Sequence, residues 1–232
     1  MAVLRLDRPD RRNAMDTALL TELLTRLDAL AADDEVRALV FSTTSERALS
    51  AGADVAEQLD AAGGVARMEL FARMYAAVDA FPVPTVAVCV GNVVGAGAEL
   101  AAGCDLRVGG DNLKLAWAGA KLGVPVGPAR LVPLVGLSRA KELIYTGRVV
   151  GMEEAERIGL LHRTASAARA EGAALELAAE IAAHPGQRRL KAMFRELEGT
   201  QRRVKYENEL LVEFQRAGTG LPTRPANVHE PG

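Results

Sequence analysis

The chain is predicted to be an α/β protein with a largely parallel sheet and a helical C-terminal region. Three observations predict this. Short apolar, β-branched runs alternate with amphipathic stretches through the first half of the chain. Two of those runs lead into small-residue turns followed by an acidic residue, and from about residue 138 the pattern is mostly helical. Alternating strand and helix patterns imply βαβ-type crossovers, which join parallel strands.

In chain order, Val3-Leu4-Arg5-Leu6 reads as a short strand. Asp16 and Thr17 offer caps for a helix whose stripe is Leu19, Leu20, Leu23, Leu24, Leu27 and Leu30; spacings of three and four place them on one face. Asp33-Asp34 breaks that helix before a strand over residues 36–41. Met68, Phe71, Ala72, Met74, Tyr75 and Val78 mark a second amphipathic helix, ended by Phe81-Pro82-Val83-Pro84, because a proline disfavours helical backbone before it. Val86-Ala87-Val88-Cys89-Val90 is a buried strand. Gly123, Pro125, Gly127, Pro128 and Pro133 predict a loop-rich region after residue 115. Helices are expected over residues 138–145, 152–158, 165–183 and 188–214, with a flexible Gly/Pro-rich tail from Gly218. The domain division that follows is a core over residues 1–183, a helical region over 184–217 and a tail over 218–232.

Composition narrows the class. The 232 residues are 49% hydrophobic, which supports a substantial core and argues against disorder. A net charge of −2 gives no electrostatic case for nucleic acid or a membrane surface as partner. No run approaches the ~20 apolar residues of a membrane span, and no signal-peptide apolar region opens the chain, so a cytoplasmic location is expected. Cys89 and Cys104 sit in apolar stretches, are read as buried free thiols, and have no metal-site spacing.

The chemistry concentrates in two turns, Ala48-Leu49-Ser50-Ala51-Gly52-Ala53-Asp54-Val55 and Val93-Val94-Gly95-Ala96-Gly97-Ala98-Glu99-Leu100. Small residues let a ligand approach the backbone, and a helix start aims free N–H groups outward. Two such turns can each offer one amide to a single oxygen, forming an oxyanion hole. Glu99, on the first turn of the second helix among apolar neighbours, has the placement of an acid or base whose proton affinity burial raises. Without a family context, both turns are also ordinary strand-to-helix connections, and Glu99 an ordinary first-turn carboxylate.

These turns, with Leu6-Asp7-Arg8-Pro9…Asn13-Ala14-Met15, Cys104-Asp105, Tyr145-Thr146-Gly147-Arg148 and Ala155-Glu156-Arg157-Ile158-Gly159-Leu160, resemble the motifs of the enoyl-CoA hydratase/isomerase (crotonase) superfamily over roughly residues 1–215. The resemblance implies a spiral of ββα units, assembly as a homotrimer or dimer of trimers, and an acyl-CoA thioester substrate with no separate cofactor and no metal. It implies that the N–H groups of Ala53 and Ala96 bind the thioester oxygen and that Glu99 moves the proton. Ala51, Asp54, Gly95, Trp117, Gly119 and Arg12 fall where the substrate is bound, and Arg8 and Arg11 lie in the same entry loop. The cations Arg188, Arg189, Lys191, Arg202, Arg203 and Lys205 are a second candidate source of CoA contacts, or else a solvated helix face.

One position departs from the hydratases of the family. Their second catalytic glutamate lies a few residues before the glycine matched by Gly123, and that position is Gly119 here. Lys121, expected on the same side of an extended segment, Asp54, Glu69 and Tyr75 are candidates to compensate. The expected activity is enoyl-CoA hydratase or isomerase; decarboxylation, thioester hydrolysis and acyl-CoA binding without turnover are the alternatives. His162, His184 and His229 have no Ser/His/Asp context, and Gly95-Ala96-Gly97 lacks the spacing of a dinucleotide site.

Overall fold

A computed structural model describes residues 1–218, 220 and 221. The predicted flexible tail therefore lies almost wholly outside the described residues. The chain opens with β1 (Ala2–Leu6) and α1 (Thr17–Ala32). The Asp16 carboxylate caps α1 by accepting from Leu19 N at 2.8 Å, and Leu20, Leu23, Leu24 and Leu27 are its buried stripe. Burying each such leucine is worth about 1.5–3 kcal/mol.

Three ββα units follow: β2 (Leu39–Thr43), β3 (Ala48–Ser50) and α2 (Ala61–Asp79); β4 (Thr85–Cys89), β5 (Asn92–Val94) and α3 (Ala96–Gly103); β6 (Leu106–Gly110), β7 (Lys114–Ala116) and α4 (Pro128–Val135). Then come α5 (Leu137–Thr146), α6 (Met152–Arg157), β8 (Arg163–Ala165), α7 (Ala167–Ala182), α8 (Gln187–Glu198) and α9 (Thr200–Arg216). The first strands of the units join a parallel sheet in the order β1-β2-β4-β6-β8, and the second strands form a smaller parallel sheet, β3-β5-β7. This is the expected α/β class with its repeated ββα units.

The larger sheet is covered on both faces, which is why its strands are continuous apolar runs rather than alternating ones. One face meets Ala170, Ala174 and Ala178 of α7 through Val40, Val86, Val88 and Val108. The other face, through Leu39, Phe41, Ala87 and Cys89, builds the main core with α1, α2 and α3. Cys89 and Cys104 are buried free thiols, and burial pushes both up to about 12.

Four sequence expectations are corrected. The small-residue turns do not follow the long strands; they follow β3 and β5, whose three residues are too short to show a period. The loop-rich region contains α4, since Pro128 falls in its first turn, where a missing N–H costs nothing. A 3-10 turn over Ala118–Leu122 replaces the extended segment there. Lys121 accordingly leaves Gly119's side and lays its chain where a Cβ on Gly147 would stand 2.7 Å from its Cε. The single helix over residues 188–214 is two, α8 and α9, parted by Gly199 at φ +59°.

Candidate active site

Strands β3 and β5 run parallel side by side, so the turns at their C-terminal ends emerge together. They approach closely enough that side chains are excluded. A Cβ on Gly97 would lie 2.5 Å from the Ser50 carbonyl oxygen, and one on Gly52 would lie 2.9 Å from that of Val94 and 3.5 Å from Ala96 N. Gly52 also has φ +100° and Gly95 φ +53°, backbone that glycine adopts without strain. The first turn is tied to the entry loop: Ala51 N donates to Arg12 O, Met15 N to Gly52 O and Asp54 N to Met15 O. That loop passes through two left-handed residues, Arg12 (φ 51°) and Asn13 (φ 53°). Buried Asn13 stabilises the conformation by donating to Thr43 Oγ1, Ala48 O and Leu49 O while its own Oδ1 accepts from Arg8 N.

After this bonding, two amides are left over. Among the described residues, neither Ala53 N nor Ala96 N donates a hydrogen bond; Ala96 opens α3, whose first N–H groups have no partner within the helix. Both residues line one cavity of about 210 Å³, together with Ala51, Gly95 and Gly119. Its remaining wall is apolar, with Phe71, Val124, Val126 and Leu211 among its members, apart from the phenol of Tyr75. The Tyr75 hydroxyl makes no hydrogen bond within the described residues, and burial keeps it a neutral phenol.

Glu99 sits one helical turn beyond Ala96, 1% exposed. Its Oε2 accepts from Arg130 Nε at 2.7 Å. Arg130, buried too, uses Nη2 for a short bond to Glu207 of α9 and stacks over the Tyr75 ring at 4.4 Å from its centre. Glu207 in turn accepts from Ala129 N at 2.8 Å. Two carboxylates thus share one guanidinium. Burial is the largest influence on Glu99 and raises its proton affinity; the Arg130 charge opposes this and Glu207 reinforces it. Its second oxygen, Oε1, has no hydrogen-bond partner among the described residues. A Cβ on Gly127 would stand 3.3 Å from that oxygen and 3.3 Å from the Trp117 ring.

The fold, the paired turns and the lone carboxylate can now be set beside known proteins. The sequence profile of the enoyl-CoA hydratase/isomerase family matches residues 1–217. The chain belongs to the enoyl-CoA hydratase/isomerase family. It is 32% identical to the 2,3-dehydroadipyl-CoA hydratase of Escherichia coli over 185 residues, 78% of this chain and 72% of that one. It is 33% identical to the crotonyl-CoA hydratase of Syntrophomonas wolfei over 168 residues, 70% of this chain and 65% of that one. The crystal structure of an enoyl-CoA hydratase from Bacillus anthracis superimposes with a TM-score of 0.76 at 27% identity, covering 91% of this chain and 87% of that one.

Asp54, Arg12, Trp117 and Glu69 do not line this cavity. Asp54 turns from the cavity to Arg8, with Oδ2 2.6 Å from Nη1; burial pushes its carboxyl up, but the Arg8 hydrogen bond, the Ala56 N–H and the charges of Arg8 and Arg11 together hold it low. Arg8 is further held by Asp16 at 3.0 Å, whereas Arg12 is exposed. Trp117 is buried behind Gly127 and its Nε1 has no partner. Glu69 reaches Arg216 at 2.7 Å on the surface. Arg130 and Glu207 have no motif signal: one lies in a segment read as loop, the other on a helix read as a charged surface. Among the described residues no helix is long and apolar enough to cross a membrane, and no group of His, Cys, Asp and Glu could hold a metal ion.

Proposed function

We propose that this enzyme stabilises the enolate of an acyl-CoA thioester between the N–H groups of Ala53 and Ala96, with Glu99 moving the proton. The observation that supports it is the pair of undonated amides in one apolar cavity, one helical turn from a carboxylate whose Oε1 is unbonded. Removing one oxyanion donor typically costs about 3–4 kcal/mol in the transition state. The second carboxylate that hydratases use to orient water has no counterpart at Gly119, where Val124 and Val126 crowd the side-chain position. One-base chemistry fits best: Glu99 takes a proton from C2 of a 3-enoyl thioester, the electron pair passes into the thioester carbonyl, and the same proton returns at C4.

The acyl group fits as short and uncharged. An apolar cavity of roughly 150 Å³ accepts benzene, so about 210 Å³ takes a chain or ring of slightly greater size. Binding without turnover is the second reading, favoured by the Arg130 ion pair that holds Glu99. We further propose a homotrimer or dimer of trimers acting in the cytoplasm.

The test is a panel of 2-enoyl- and 3-enoyl-CoA thioesters followed by chromatography and mass spectrometry, with deuterium incorporation at C2 of butanoyl-CoA as a direct report on the enolate. Double-bond migration or deuterium uptake that disappears in Glu99→Gln supports the proposal. Ligand binding with neither reaction supports the second reading.

A further inference from the structure

We propose that Glu207, delivered by the C-terminal helix α9, is a positioning residue for Glu99 that acts by occupying one arm of Arg130. This rests on the role given to Glu99 above. A guanidinium and a carboxylate form their most stable pair as a two-pronged fork that uses both carboxylate oxygens. Here the fork is prevented. Arg130 gives Nε to Glu99 Oε2 and Nη2 to Glu207; among the described residues its buried Nη1 has no partner and Glu99 Oε1 is left unbonded. Without Glu207, Nη2 would be free to turn onto Glu99, and both carboxylate oxygens would be consumed by the ion pair. A base needs one lone pair aimed at its proton; Glu207 keeps that lone pair available.

The charge balance acts in the same direction. Two ionised carboxylates against one guanidinium leave a surplus negative charge in a buried cluster, so Glu99 holds a proton more readily than a simple Arg–Glu pair would. The charged and titratable groups facing the pair are Arg130 from α4, Glu207 from α9 and Tyr75 from α2, with Asp79 further along α2 feeling the Arg130 charge. Glu207 is itself held by Ala129 N, at the start of α4, so the helix that carries Arg130 and the carboxylate that restrains it are locked together.

Glu207→Gln keeps the size and the acceptor for Ala129 N while removing the charge. With wild type and Glu207→Gln labelled with ¹³C at the glutamate carboxyls, and the Glu99 signal assigned by its loss in Glu99→Gln, the Glu99 titration midpoint should move to lower pH in Glu207→Gln. In turnover, the acidic limb of the pH–rate profile should move the same way and kcat should fall about tenfold with KM nearly unchanged. Glu207→Asp, which restores the charge, should return the midpoint towards wild type. An unmoved midpoint in Glu207→Gln overturns the proposal, even if kcat falls with thermal stability. Should Glu207→Gln not fold, a crystal structure of the wild-type enzyme decides: Arg130 bonded to both oxygens of Glu99 in a two-pronged fork overturns the proposal. Turnover retained in Glu99→Gln would instead sink the proposed function and leave the titration result standing.

Discussion

Gly52 shows how a missing side chain shapes the site. Its φ of +100° and the 2.9 Å left between a Cβ and the Val94 oxygen make two separate demands for glycine. Gly52→Ala should therefore cost about 1–3 kcal/mol of stability, read by thermal denaturation. Because the methyl would push Val94 and Ala96 away, turnover should fall further than stability alone explains. The positions of Glu99 and of both turns were legible in the sequence, because close-packed turns of this kind depend on small residues in a fixed local order. The partners of Glu99 were not. Arg130 follows Glu99 by 31 residues and Glu207 follows Arg130 by 77, and nothing local in a sequence announces a pairing made only by tertiary folding.

At the scale of elements, the entry loop is a clasp. Arg8 holds Asp16, the cap of α1, and Asp54, the end of the first turn, so one guanidinium fixes a helix start to the first small-residue turn. The folded Asp54 carboxyl lies below its ordinary value of 3.8. A depressed carboxylate contributes stability that is present above the unfolded value and is lost as pH falls through the folded one. Thermal midpoints measured downward from pH 6 should therefore drop more steeply below about pH 4 in wild type than in Arg8→Met, whose curve starts lower and runs flatter. The long strands were legible as continuous apolar, β-branched runs and α1 by its helical period; the three-residue strands of the smaller sheet are too short for either signal. The break between α8 and α9 escaped notice because a single Gly199 interrupts an otherwise helical pattern.

On the surface formed by the described residues, α8 carries an exposed apolar stripe. Leu190, Met193, Phe194 and Leu197 stand at helical spacing, and Leu197 is 81% exposed. An apolar stripe of this kind is costly in water and marks a contact surface. Light scattering should give the mass of a trimer or a dimer of trimers, and the double change Phe194→Glu with Leu197→Glu should shift it towards monomer with far-UV circular dichroism unchanged. The overall class and helical C-terminal region were legible from alternation and composition. How α9 returns to pack on α2 and α4 was not, since its charged residues read as a solvated face.

The position of Glu207 so late in the chain also has a temporal side. A ribosome makes the two turns, Glu99 and Arg130 before α9, so Arg130 emerges long before its second carboxylate partner. Only when that last helix docks does Glu207 reach Arg130, so the cluster around Glu99 joins residues made early in synthesis to one made near its end.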